Sequence, residues 1–339
     1  MKRILVRAVL IGAAALAAVT GPGLVRRWKG AAMRRRVNQS LADYRPQPYA
    51  PPPTLADFLP DQTPGDAGGV YTQAFQLNAA RPSDPAPLRP EQIAAVDNAI
   101  RVKDCAILGV AYLPKSLDND LLLHTARTAG AEIATGKYFV ERGKAFETAH
   151  NPAAAEAEYR NGMAFAYHMM QDWDTPTSAL GSTIMVGMVL RLQILRIARA
   201  SDEFEERRRS VKLLLEMKAF MPDKKEMATI EHAARSRAEL ASLNRYADDP
   251  SLRRPYLSWA LFQAAGWWSE EESRAAEPWP ERTAFLQHAA ASGDRRVAAL
   301  GNAYLAILAD DQQRYARLAV PEREAARRAA AARFNSLKF

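Results

Sequence analysis

The chain has 339 residues, 48% apolar and 25% charged, a balance that excludes global disorder. Its net charge of +8 invites a nucleic-acid reading, but the excess is confined to the N-terminus. Lys2, Arg3, Arg7, Arg26, Arg27, Lys29, Arg34, Arg35 and Arg36 stand there with no acid among them, and the remainder is close to neutral. Nucleic-acid binding needs a basic stripe on the folded part, so no nucleic-acid partner is expected.

The run Ala8 to Val25, AVLIGAAALAAVTGPGLV, carries no charge and follows the basic MKRILVR. Two readings compete. A signal peptide would be cut after an Ala-x-Ala site such as Ala15-Leu16-Ala17. An uncleaved anchor would use the whole run, residues 8–25, at the short end of what spans a bilayer. The six cations after the run favour the anchor, because they suit lipid headgroups. The basic-apolar-small layout favours export, with the body outside the cytoplasm. The cations after the run favour the opposite orientation, with a cytoplasmic-facing body.

Residues 1–36 are therefore expected to form a basic-flanked membrane anchor or signal segment. Residues 37–66 are expected as a linker, because seven prolines fall between Arg45 and Pro64. Residues 67–339 are expected as a helical domain, subdivided near 222 or 250. A short helix is expected at GGVYTQAFQLNAA. Another opens at Pro90-Glu91, with Ile93, Val96 and Ile100 on one face. Cys105 to Leu113 reads as a helix end or a single strand. Cys105 is the chain's one cysteine, which excludes an intrachain disulfide and suits a small buried hydrophobe.

Long helices follow: Asp118 to Ala149, Pro152 to Gln171, and then TPTSALGSTIMVGMVLRLQILRIAR, Thr175 to Arg199. Proline at the first turn starts this last helix without wasting a donor. Its apolar residues run all round from Leu180 to Leu190, so it should be covered on most sides. Arg191, Arg196 and Arg199 suit the negative end of the helix dipole. Further helices are expected over Asp202 to Phe220, with an Asp cap, and over Asp223 to Ala247, Leu252 to Trp268, Pro280 to Ala291, Arg295 to Ala309, and Asp311 to Arg333. The fold class is all-α: antiparallel helical hairpins around a central apolar helix, behind an N-terminal membrane segment.

Chemistry leaves little trace. None of the histidines forms HExxH or an i, i+4 pair, and neither GxSxG, a phosphate loop nor a dinucleotide fingerprint occurs. The best metal candidate is His168, Asp172 and Asp174 in HMMQDWD, where His168 and Asp172 are one helical turn apart. The bland reading is a helix-end His–Asp pair. Asp118-Asn119-Asp120 reads as a helix cap, since it lacks the glycine and closing glutamate of a calcium loop. No cofactor is expected. Trp259, Phe262, Trp267, Trp268 and Trp279 crowd one stretch. They form either an aromatic groove for a partner or the filling between two helical layers.

Leu300-Gly301-Asn302-Ala303-Tyr304 has the form LGxxY, and Gly136 with Phe139, followed by Ala155 and Tyr159, echoes it. These stretches resemble tetratricopeptide-like helical hairpins, without their fixed period. The resemblance implies a surface for a protein or peptide partner. The expected function is a membrane-anchored helical interaction or scaffold protein without a recognisable catalytic site. The alternative is an enzyme with a dispersed His/carboxylate site between helices.

Overall fold

The computed structural model describes residues 27–47, 52–76, 87–105, 113, 121–171, 175–221, 224–244 and 254–336. The leader run at 8–25, Asp118 to Asp120, Asp172 and Asp174 lie outside them. The fold is predominantly helical. Helix α1 covers 27–40. A 3-10 turn at Pro53–Asp57, strand β1 at Thr63–Asp66, α2 at Gly68–Gln76, α3 at Pro90–Ala99 and strand β2 at Val102–Asp104 follow. Four longer helices come next: α4 Leu121–Thr148, α5 Pro152–Gln171, α6 Thr175–Arg199 and α7 Glu203–Phe220. The rest is α8 Lys224–Ala233, α9 Arg237–Leu243, α10 Arg254–Gly266, α11 Glu270–Ala275, α12 Pro280–Ala290, α13 Arg295–Ala316 and α14 Val320–Ser336.

Two apolar clusters are buried. One gathers Phe58, Tyr71, Phe75, Ile100, Phe139, Phe165, Met185 and Met188 around α5 and α6. The other gathers Leu240, Leu261, Trp268, Phe285, Leu300 and Tyr315 from the C-terminal helices. Helices α5 and α6 approach closely because small residues face each other. A Cβ on Gly181 would lie 2.8 Å from the Ala166 carbonyl oxygen and 2.7 Å from Met169 Cβ. Gly162 sits under Met188, and Glu156 pairs with Arg196. The order of these pairings runs the two helices in opposite directions.

The segment expected to be a bare linker is packed instead. Val37 and Leu41 are buried, and Leu55 and Phe58 belong to the first core cluster. The Tyr44 and Thr54 hydroxyls both donate to the buried Glu216 carboxylate on α7. Arg160 on α5 donates to the Phe58 carbonyl at 3.1 Å. Proline-rich sequence excluded regular structure here without excluding burial of the few large apolar residues between the prolines.

Other elements depart in detail. β1 and β2 pair in parallel, Thr63 opposite Val102 and Asp66 opposite Asp104, where at most one isolated strand was expected. Asp202 caps α7 by accepting from Phe204 N and Glu205 N, as its sequence predicts. The helix expected over Asp223 to Ala247 is broken at Ala234 to Ser236 into α8 and α9. The break expected near Asp310 is absent. Helix α13 runs through it and stops at Ala316.

Helix α6 is the main departure. Met185, Met188, Val189 and Leu192 are buried, but Val186, Leu190 and Ile194 are exposed by 38%, 47% and 69%. Its neighbours cover one side, and the expectation of cover on most sides fails along this stripe. By length and composition alone, Thr177–Arg199 is long and apolar enough to cross a membrane. The one-sided burial sets a contrast between two aspartate substitutions. Met185→Asp is expected to cost roughly 3–5 kcal/mol, because it strands a charge in the core. Ile194→Asp is expected to stay within about 0.5 kcal/mol of the parent. Chemical denaturation of the two variants checks this, and equal losses would place both residues in the same environment.

Candidate functional site

The exposed stripe borders a groove. Residues on α4 (Ile133, Gly136, Lys137, Val140, Glu141, Lys144) and on α6 (Leu180, Thr183, Ile184, Gly187, Met188) enclose about 540 Å³. Gly136 lies at a point where a Cβ would meet Ile184 at 2.9 Å, so the helices draw together at the floor. Gly187, one turn further along α6, faces open space. The floor is aliphatic, and Lys137, Glu141 and Lys144 stand exposed on one rim. Such a channel can take an apolar helix or chain by burial alone, with rim charges fixing its register.

His168 lies in the interior. It is fully buried at the end of α5. Its Nε2 donates to the Val102 carbonyl at 2.8 Å, and its Nδ1 accepts from the Tyr71 hydroxyl at 2.9 Å. Both ring nitrogens are thereby used. Gln171, one turn on, accepts from Cys105 N at 2.9 Å through its side-chain oxygen. The two residues bind β2 to α5, and with it the small sheet. Asp172 and Asp174 lie outside the described residues. Among the described residues, no group of three His, Cys, Asp or Glu is placed to hold a metal ion.

The tryptophans separate into distinct environments. Trp268 is 5% exposed and packs on Tyr315, with ring centroids 4.9 Å apart. Trp267 is half-buried beneath the Arg235 guanidinium, 4.1 Å from its ring centroid. Trp259 stacks on Phe262 at 5.2 Å, and both are half-buried. Trp279 is half-buried with the Arg282 guanidinium 5.6 Å from its ring. Trp268 belongs to the second apolar cluster, and Phe262 and Trp279 pack against it.

What joins this stretch is an ion pair that sequence reading did not single out. Arg282 and Glu272 are both fully buried, with Nε to Oε1 at 2.7 Å and Nη2 to Oε2 at 3.0 Å. Glu272 also accepts from Trp279 N at 2.8 Å and Ser269 N at 2.7 Å, and Arg282 donates to the Ala264 carbonyl at 2.6 Å. Every partner a buried pair needs is supplied, which is the condition for such a pair to persist. The Ser269-x-x-Glu272 spacing of a capping box was the available signal. Nearby, Gln263 is fully buried, and its side-chain amide makes no hydrogen bond among the described residues.

Two outcomes follow from these environments. Burial pushes the His168 pKa down to about 4, against weaker opposing pulls from the Val102 and Lys103 backbone and from Asp104 and Asp66. The unfolded imidazole, at about 6.5, therefore takes its proton first as pH falls. Stability held above that value is lost between about pH 6.5 and pH 4, by roughly 2–3 kcal/mol. Denaturant melts at neutral and acid pH should show this slope, and His168→Gln should flatten it.

Trp268→Ala is expected to cost roughly 3–5 kcal/mol. Trp267→Ala is expected to cost about 1 kcal/mol, the loss of a half-exposed cation–π contact. Parallel thermal melts decide; equal losses would mean that both rings fill core.

A scan against protein-family models found no match to this chain, and searches of curated proteins and of solved structures found none either.

Proposed function

We propose that the chain is a membrane-anchored helical interaction protein, held by its leader and presenting the α4–α6 groove to an apolar segment of a protein partner. The observation that carries this reading is the groove itself: an aliphatic channel of about 540 Å³ bounded by two long helices, with an open glycine at its lip. Gly187 faces open space and lets a partner helix come close to the α6 backbone. The short connections support successive helical hairpins in the tetratricopeptide-like manner, whose working surface is also a helix-lined channel. The basic-apolar-small order of the leader supports a body on the outer side of the membrane.

The test uses the full-length chain in its native membrane, with a photo-crosslinking amino acid at Thr183 on the groove or at Gly293 on the exposed turn before α13. A discrete protein adduct is expected from position 183 and not from 293. Gly187→Trp should abolish it while leaving the fold intact, because a side chain there meets nothing within 4 Å. Adducts with lipid alone, or an adduct indifferent to Gly187→Trp, would remove the groove as a partner site. Extraction of the same membranes tests the anchor. A chain held by an inserted segment resists high salt, and one held by its basic flank is released.

A further inference from the structure

The C-terminal end of α6 borders a second cavity of about 500 Å³, which shares no residue with the α4–α6 groove. Six charged side chains line it: Asp57, Glu156, Arg196, Arg199, Glu206 and Arg209. Helical spacing brings four of them in as pairs. Arg196 and Arg199 are one turn apart on α6, and Glu206 and Arg209 are one turn apart on α7. Glu156 comes from the start of α5. Asp57 ends the 3-10 turn, and the next residue holds it in place. Phe58 is buried in the first core cluster, with the Arg196 guanidinium 5.2 Å from its ring centroid.

All of these but Asp57 form a chain of alternating charge. Arg196 donates to Glu156 Oε1 through Nε at 2.9 Å and Nη2 at 2.8 Å. Arg199 Nη1 lies 3.6 Å from the other oxygen of Glu156. On the opposite side, Arg196 Nη1 lies 3.8 Å from Glu206 Oε1, and Arg209 Nη1 lies 3.8 Å from Glu206 Oε2. The order is therefore Arg199, Glu156, Arg196, Glu206, Arg209, with a guanidinium at each end. The three middle members are mostly buried, and both ends are half-exposed. Distances of 3.6 and 3.8 Å are too long for hydrogen bonds, and neither end guanidinium makes one among the described residues. The Asp57 carboxylate has no ion pair or hydrogen bond among them either. The neighbouring cations of α7 are engaged elsewhere: Arg207 pairs with Glu203 and Arg208 with Glu205.

We infer that this cavity binds a small zwitterion, its oxyanion bridging Arg199 and Arg209 and its ammonium group facing Asp57. An oxyanion between the two ends closes the chain into a ring of alternating charge. Guanidiniums suit this task, since each offers a planar fork of donors to a carboxylate or phosphate. Charge balance selects the class of ligand. The lining groups are three guanidiniums and three carboxylates, so a bare anion leaves the cavity negative and Asp57 unmatched. A zwitterion meets both end guanidiniums and Asp57 and leaves the sum at zero. The inference depends on neither the leader anchor nor the α4–α6 groove.

The test is calorimetric titration of the full-length chain in uncharged detergent micelles. The probes are glycine, β-alanine, γ-aminobutyrate and ε-aminocaproate, which span a range of lengths, each beside the plain carboxylate of equal length. Glycerophosphoethanolamine carries the same two groups as a lipid headgroup does. Saturable binding of at least one zwitterion is expected, with a Kd of about 1 mM or below and roughly tenfold tighter than its plain anion. Tightest binding of an amino acid assigns a free metabolite, and tightest binding of glycerophosphoethanolamine assigns a lipid headgroup. Arg199→Gln and Arg209→Gln should each weaken binding by roughly tenfold. Asp57→Asn should remove the preference for the zwitterion while leaving the anion bound. These side chains are at least half-exposed, so all three variants should melt as the parent does. Arg209→Lys repeats the reading should Arg209→Gln melt abnormally. No saturable binding of any probe up to about 10 mM overturns the inference. Equal affinity for zwitterion and anion, or binding indifferent to both arginine variants, overturns it as well.

Discussion

The close approach of α5 and α6 is the constraint from which the rest of the first core cluster follows. Gly181 brings the α6 backbone against the Ala166 carbonyl and the Met170 amide, and Gly162 admits the Met188 side chain. Backbones this near leave room for few side chains between them, so α6 buries a narrow face: Met185, Met188, Val189 and Leu192. The opposite face is then left to whatever else can reach it. Helix α4 reaches the proximal half and forms the groove. Among the described residues, Leu190 stays about half exposed and Ile194 about two thirds exposed.

That asymmetry explains what the sequence could and could not reveal. The uncharged run from Pro176 to Leu190 identifies α6 as an apolar helix, and the Asp202 cap places the start of α7. Hydropathy counts apolar residues but does not say which of them a neighbour covers. Val186 and Val189 look alike in sequence; only the position of α5 makes one exposed and the other buried. The small sheet was illegible for a related reason. Thr63-Pro64-Gly65-Asp66 has little strand preference of its own, and is held because His168 and Gln171, about a hundred residues away, tie β2 to α5.

The aromatic stretch shows the opposite kind of ambiguity. Composition alone suits a binding groove and a packed joint equally, because large rings serve both. Burial separates them. Trp268 lies against Tyr315 inside the second cluster, whereas Trp267 is held from outside by Arg235. The groove on α4 and α6 has no aromatic signature. Its signal is the pair Gly136 and Gly187, whose spacing to the surrounding aliphatics gains meaning only once the two helices are seen side by side.

The Glu272–Arg282 pair sets a rule for how the C-terminal helices assemble. Its hydrogen bonds draw on the end of α10, the cap of α11 and the first turn of α12. None of these segments can bury its share of charge alone, since a lone carboxylate or guanidinium out of water is far costlier than the pair. Intermediates with α10 docked but α12 loose therefore keep this region hydrated, and the three segments become dry together or not at all. A chain cut anywhere between Gly266 and Arg282 would leave Glu272 without its counter-charge or Ala264 without its donor. The second cluster is thus indivisible along that stretch: its residues on either side, from Leu240 and Leu261 to Phe285 and Tyr315, are buried together.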